Sequence, residues 1–397
     1  MATLILSCST GQGHNSCAQA VKEYYDAQGE TCDLEDAMDF ISHPLERFIS
    51  WGHATVYRHF RGLFKLAYGY SEKHPSFLGS SSLVYRLLAL GVDRLNAYIV
   101  KGGFTAIICT HPFASLMMTE LQNRYHLPLV IGLVATDYTC NPGTKESVAD
   151  IHFIPDSSLS VDFECPNIED DQICPSGIPI RQKFYRHMDK AEAKERFDIP
   201  AHHKHLVMMC GSMGCGPMKR LAWLLSFRLP EETDMTIVCG TNKRLEKKLR
   251  RHYGSNPHMH IRGYVQDMSA LMDSADLYLT KPGGISVSEA AIKSLPMVFI
   301  DAVAGCEYYN KFYFIRKGGA RTGAYSGEIS RVCVNLLGNE QKLWRMHESL
   351  ATMPKDNASG IIYDAMHRLE DDKLRRTTRV EEKEEIIEPA RADRRSA

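Results

Sequence analysis

The sequence predicts an α/β protein built from two Rossmann-like domains that face each other across a cleft. Its 397 residues exceed one ordinary domain and suit two. Short apolar, β-branched runs alternate with longer segments of helical periodicity, the pattern of βαβ units on parallel sheets. Glycine-rich turns follow several of these runs, where such sheets place their ligands.

Taken in order, strands are expected at 3–7 (TLILS), 106–110 (AIICT) and 129–134 (LVIGLV), with shorter ones at 151–155 and near Ile173. A second series follows PSGIPI (175–180): 206–211, 236–240, 261–265, 277–280 and 297–301. Residues 1–178 therefore form an amino-terminal domain and 179–370 a carboxyl-terminal one. From 371 to 397 the chain is mostly Asp, Glu, Lys and Arg, and reads as a solvated tail, partly helical or disordered.

With 44% hydrophobic residues the chain can bury two cores, and its formal net charge of -1 gives no global attraction to nucleic acid or membrane. The opening MATLILSCST reads as a first strand and not a signal peptide, and no apolar run reaches the roughly 18 residues of a membrane span, so a cytoplasmic location is expected. The twelve cysteines contain no CxxC pair and read as reduced, buried and structural. His202, His203 and His205 fall in a turn with no Cys or carboxylate ligand set beside them, so no metal site is expected.

Five glycine or loop motifs carry the functional reading. In STGQGHNS (9–16), Gly11 and Gly13 allow a tight turn and His14 opens a helix at the sheet's carboxyl edge. Ser16 stands where a dinucleotide fingerprint has its third glycine, and Asp33 or Glu35 could serve as its acid, so a nicotinamide or flavin enzyme stays open. In CGSMGCGP (210–217), Gly211, Gly214 and Gly216 allow close backbone approach, but no Walker lysine follows. LTKPGGISVSEA (279–290) carries Lys281, Gly283, Gly284, Ser286 and Glu289, a strand exit into a helix start that suits a phosphate. RGYVQDM (262–268) and VAGCEYYN (303–310) also follow strands, so the fold is expected to gather the four motifs of the second half around one cleft.

At these residues the sequence resembles glycosyltransferase family 28, which includes the diacylglycerol glycosyltransferases of bacteria and plastids. STGQGH, ATDYTCN, GIPI, GSMGCGP, TKPGGISVSEA and GCEYYN occur in the family's order over about residues 3–365. The resemblance implies a GT-B fold, a UDP-sugar donor held on the second domain, no tightly bound cofactor and no metal. It implies that backbone amides near Gly214, Gly216, Gly283, Gly284 and Ser286 meet the diphosphate, with Lys281 a contact or a flanking cation. It places Glu289 at the ribose, Tyr264 and Val265 at the uracil, and Glu307 and Asn310 at the sugar. His14 is the candidate general base on the acceptor-side loop of Gly11 and Gly13, and Asp137 orients the acceptor or assists the base. Transfer would then invert the anomeric configuration. Ser212, Met213, Cys306, Tyr308 and Tyr309 depart from the family pattern near the donor.

Residues 47–104 hold eight Lys/Arg against two Asp/Glu, interleaved with aromatics such as Trp51, Tyr57 and Phe60. That composition suits an anionic membrane surface, an RNA, or a helical subdomain with aromatic core. The family resemblance favours the first, with a lipid acceptor, diacylglycerol, reached from the inner face of the cell membrane, and no nucleic acid. An N-acetylglucosamine transferase acting on a polyprenyl lipid and a UDP-sugar epimerase of the same fold are the alternatives.

Overall fold

The computed structural model describes residues 2–8, 12–41, 69–70, 78–212, 214, 216–300 and 305–392, with side chains described as far as residue 375. These residues form two six-stranded sheets, each wholly parallel. The first contains β1 (Thr3–Ser7), β2 (Cys32–Asp36), β3 (Ala106–Cys109), β4 (Val130–Val134), β5 (Ile151–Ile154) and β6 (Ile173–Pro175), in the order β2-β1-β3-β4-β5-β6. The second contains β7 (Lys204–Met209), β8 (Thr233–Val238), β9 (Met259–Arg262), β10 (Leu277–Thr280), β11 (Met297–Phe299) and β12 (Ala320–Thr322), ordered β12-β11-β10-β7-β8-β9.

Central strands such as β1, β4 and β10 are buried along their whole length because helices cover both sheet faces. That is why they read as continuous apolar runs. Two edge strands, β2 and β12, escaped the sequence reading. Only Cys32 of CDLED is buried, and β12 is three residues long, so neither carries an apolar run.

The order of the strands reverses direction twice, between β1 and β3 in one sheet and between β7 and β10 in the other. Such switch points open crevices at the strands' carboxyl ends. The two domains meet through one shared core, in which Tyr138 of the first stacks on Tyr313 of the second at 4.4 Å and meets Phe314 edge-on at 4.8 Å.

The structure corrects the expected domain limits. The helix Ala358–Ala392 returns to the amino-terminal domain, where Ile362, Ala365 and Met366 pack with Ile5, Val21, Tyr25 and Phe153. With Leu369 they form an i, i+3, i+4, i+7 stripe, so residues from 358 belong to the first core and not to the second domain. Lys373 still anchors this helix, donating to the Leu129 carbonyl at 2.6 Å, and the helix runs on to Ala392. Among the described residues the cysteines are free; Cys140, Cys165, Cys174 and Cys306 are only partly buried. No helix among them is long and apolar enough to cross a membrane.

Candidate active site

The two switch points face each other. A Cβ added to Gly13, in the first turn of the helix Gln12–Ala27, would lie 3.6 Å from Ile285, in the first turn of the helix Gly284–Ile292. A Cβ at Gly284 would lie 1.9 Å from the Thr136 carbonyl oxygen. Only glycine permits this approach of the second domain's helix to the loop after β4.

On the amino-terminal side, His14 Nδ1 lies 2.8 Å from the Thr110 carbonyl and 3.0 Å from Thr136 Oγ1. A carbonyl only accepts, so Nδ1 carries the proton and the neutral ring keeps its lone pair on Nε2. The His111 ring packs edge-on at 4.4 Å. Burial pushes the imidazole below its ordinary value of 6.5, while the nearby Asp137 carboxylate opposes that shift.

Asp137 is itself buried, which pushes its carboxyl upward against the Asn310 amide and the His14 imidazole. Asn310 Nδ2 donates to Asp137 Oδ1 at 2.7 Å and to the Pro282 carbonyl at 3.0 Å, while its Oδ1 accepts from the Tyr138 N–H at 2.6 Å. Fully buried, Asn310 thus latches one domain to the other. The resemblance implied an open contact with sugar hydroxyls; in this conformation both amide protons are taken.

On the carboxyl-terminal side, Gly283 caps the helix Gly284–Ile292 without a side-chain hydrogen bond. The free N–H groups of a first helical turn and the helix dipole favour an anion there. Ser286 in that turn is held by the Tyr278 hydroxyl at 2.9 Å. Lys281 crosses the Gly211 turn to reach Glu307 Oε1 at 2.6 Å, and Glu307 is buried. Gly214 has φ of 54°, and a Cβ there would lie 2.7 Å from the Cys239 carbonyl, so the loop after β7 needs glycine to fold back on β8. Gly216 lies in the same loop, with φ of 85°.

Tyr264 and Val265 line a cavity of about 370 Å³ after β9, together with Phe197, Arg262 and Gln266. Tyr264 is largely exposed, whereas Val265 packs on the shared core. Glu289 lies near Arg181 and Lys183, and burial pushes its carboxyl up to about 8 even though these two cations pull it down.

The sign of that shift gives a stability expectation. Below about pH 4.5 folded and unfolded chains are both protonated at this group, so the shift costs nothing; the cost grows between 4.5 and 8, and is complete above. Glu289→Gln should therefore stabilise the protein by roughly 2 kcal/mol at pH 7.5, after discounting because the residue is only partly buried, and hardly at all near pH 4.5. Thermal melts of both proteins across that range check this; a difference that stays constant with pH would mean Glu289 titrates normally.

Most candidates from the sequence converge here: His14, Gly13, Asp137, Lys281, Gly283, Gly284, Glu307 and Asn310. Gly11 lies outside the described residues, as do Met213, Cys215 and 301–304. Tyr264 and Val265 sit at the separate cavity. The sequence reading did not find Thr110, Thr136 and His111. His111 directly follows an expected strand and could have been found by that rule. The two threonines act through contacts 96 and 122 residues away along the chain, which no motif reports. Asp33 and Glu35, the acids a dinucleotide would need, both accept from the Tyr98 hydroxyl, at 3.2 and 3.0 Å.

Two parallel-sheet domains with facing switch points, a helix N-terminus on one side and a histidine on the other, define the GT-B class of nucleotide-sugar enzymes. Residues 14–180 match the family model of monogalactosyldiacylglycerol (MGDG) synthase, and residues 205–369 match that of the glycosyltransferase family 28 C-terminal domain. The chain belongs to glycosyltransferase family 28. It is 25% identical over 346 residues to a processive diacylglycerol beta-glucosyltransferase of Staphylococcus epidermidis, covering 86% of this chain and 85% of that one. Its fold is similar to Acinetobacter baumannii MurG (TM-score 0.59, 13% identity, 92% of this chain and 99% of that one). It is also similar to UDP-GlcNAc 2-epimerase from Neisseria meningitidis bound to UDP-GlcNAc (TM-score 0.57, 13% identity, 93% and 100%).

Proposed function

We propose that this chain transfers a hexose from a UDP-hexose to diacylglycerol, with inversion at the anomeric carbon. The observation that carries the reading is the Nε2 lone pair of His14, held by the Thr110 carbonyl at the first domain's switch point, next to the helix N-terminus at Gly284. The acceptor hydroxyl attacks the anomeric carbon and gives its proton to Nε2. The bond from that carbon to the diphosphate breaks, and UDP leaves with its charge met by the N–H groups at Gly284 and Ser286 and by those near Gly214 and Gly216, while the Gly283 N–H, held by the Lys281 carbonyl at 2.9 Å, shapes the turn. Lys281 adds a cation once donor binding loosens it from Glu307.

Asp137 keeps His14 and the acceptor aligned. The uracil enters the cavity at Tyr264 and Val265, and the ribose hydroxyls donate to Glu289. Asn310 and Glu307 reach the sugar when the latch across the domains opens. The donor half of this reading is supported by likeness in fold to an enzyme bound to UDP-GlcNAc, and the acceptor by the diacylglycerol glucosyltransferase activity of the relatives.

Association with the inner face of the membrane is supported by part of the basic, aromatic segment. In the helix Leu83–Ala89, Leu83 is 73% exposed and Arg86 exposed on the same side, followed a turn later by Leu90 at 65%. Apolar and basic groups on one face suit a lipid headgroup layer. Residues 42–68 and 71–77, which carry most of the aromatics, lie outside the described residues.

Calorimetry with UDP tests the donor assignment. Glu289→Ala should weaken UDP at least about tenfold, from the loss of hydrogen bonds to a charged group. In the wild type, binding near pH 7 should also release a proton, seen as a heat that changes with buffer ionisation enthalpy, because the ribose favours the ionised carboxylate. Equal affinity in the two proteins would remove Glu289 from the donor site.

A further inference from the structure

We propose that His203 Nδ1, Asp234 Oδ2 and His258 Nδ1 form a binding site for a borderline divalent cation of the zinc class, at the end of the second sheet opposite the cleft. His203 immediately precedes β7, Asp234 is the second residue of β8, and His258 immediately precedes β9. These three strands are neighbours, and all contribute from their amino ends. The parallel register pairs Met235 with Met259, so Asp234 and His258 stand level, held by the Met235 N–H to the His258 carbonyl at 2.9 Å.

Asp234 is 1% exposed, and its ion-pair partners among the described residues are all histidines. A buried carboxylate normally has a fixed cation. Here imidazoles surround it, which compensate the charge only when protonated or when they share a metal with it. Oδ2 lies 2.6 Å from His203 Nδ1 and 3.7 Å from His258 Nδ1, and the three ligand atoms are all within 4.8 Å of one another. Metal–ligand distances of about 2.0–2.2 Å in a tetrahedron space the ligand atoms about 3.4 Å apart. Shifts of about an ångström therefore close the site.

The surroundings fit as well. His260 Nε2 holds the other carboxylate oxygen at 2.7 Å, the outer hydrogen bond that orients a ligating carboxylate. The His258 side chain is 47% exposed, which leaves a solvent-facing quadrant for entry and for a water as fourth ligand. Two imidazoles and one carboxylate select zinc, cobalt, nickel or copper over magnesium and calcium, which require oxygen ligands. Each imidazole would bind through Nδ1 and keep its proton on Nε2.

The histidine run seen in the sequence is thus split by the fold. His205 is fully buried with Nδ1 at the Ser274 hydroxyl and Nε2 at the Thr236 hydroxyl, so both ring nitrogens are taken and it is no ligand. The carboxylate missing from the sequence neighbourhood arrives from 31 residues away. Such an ion would clamp three strand ends and leave the sugar-transfer site untouched.

The test uses the full chain, freed of any tag and stripped with EDTA, titrated with CoCl₂ by visible absorption and with ZnCl₂ by calorimetry at pH 7.5. The expected result is one equivalent bound with Kd of about 10 μM or tighter, and a rise in Tm with zinc in excess. His258→Gln, in an exposed turn, should weaken binding at least about tenfold, and Asp234→Asn should abolish it. His252→Gln, an exposed control whose Nδ1 contacts only its own helix, should change nothing. Absence of one-equivalent binding in the wild type, or binding unaltered in folded His258→Gln, overturns the proposal.

Discussion

Replacing His14 with alanine is expected to slow glycosyl transfer by about 10²- to 10⁴-fold while leaving UDP affinity unchanged. The loss is large because no other base among the described residues is placed for the proton. The neighbouring Asp137 carboxylate is already engaged by the Asn310 amide, and His111 spends its Nδ1 accepting from the Phe113 N–H. UDP affinity should be spared because the proposed donor contacts belong to the second domain. The pH profile provides a second readout. Burial holds His14 below 6.5, so the neutral, active ring should persist through pH 6.5 and the rate should fall only in more acid solution. Steady-state rates from pH 5 to 8, with UDP titrations of both proteins, check this. A variant with full activity would dismiss His14 as the base.

Gly284→Ala is the second large effect, and its sign runs against helix propensity. At an ordinary helical position alanine improves on glycine by about 1 kcal/mol. Here the new Cβ would overlap the Thr136 carbonyl, 1.9 Å away, with Asp137 Oδ1 at 3.0 Å. Backbone lies on both sides, so the loop after β4 and the helix have to separate. Separation breaks the Asn310 bonds to Asp137 and Tyr138, and strains the Tyr138 hydroxyl contact with Ser288 at 3.0 Å. Overpacking and unsatisfied buried polar groups together should cost about 3–5 kcal/mol. Urea denaturation should show this loss, and transfer should drop with it because His14 and the helix N-terminus no longer meet. Unchanged stability would mean that the domains do not approach this closely in solution.

Much of this arrangement was legible in the sequence, for a physical reason. A parallel strand buried on both faces reads as an apolar run, and a glycine turn after it marks the carboxyl edge, so His14, Lys281 and Gly284 could be placed at strand ends without any contact being known. The reading failed where burial is one-sided or the partner is remote. β2 and β12 lie at sheet edges, and β8 opens on polar residues because Asp234 is buried through bonds to His203 and His260 and not through apolar contact. The latch made by Asn310 was hidden too, since its partners Asp137 and Tyr138 lie 173 and 172 residues away. The return of the last helix to the first domain was equally hidden, since the Ile362 stripe does not say which core it joins.

The most direct test of the central claim is mass spectrometry of lipids after incubating the protein with anionic liposomes containing diacylglycerol and, in separate reactions, UDP-glucose, UDP-galactose or UDP-N-acetylglucosamine. A hexosyl diacylglycerol is expected in at least one hexose reaction, with a β-linkage from the α-linked donor, and it should disappear in His14→Ala. Release of free sugar or of an epimerised nucleotide sugar in every reaction, with no glycosylated diacylglycerol, would contradict the central claim.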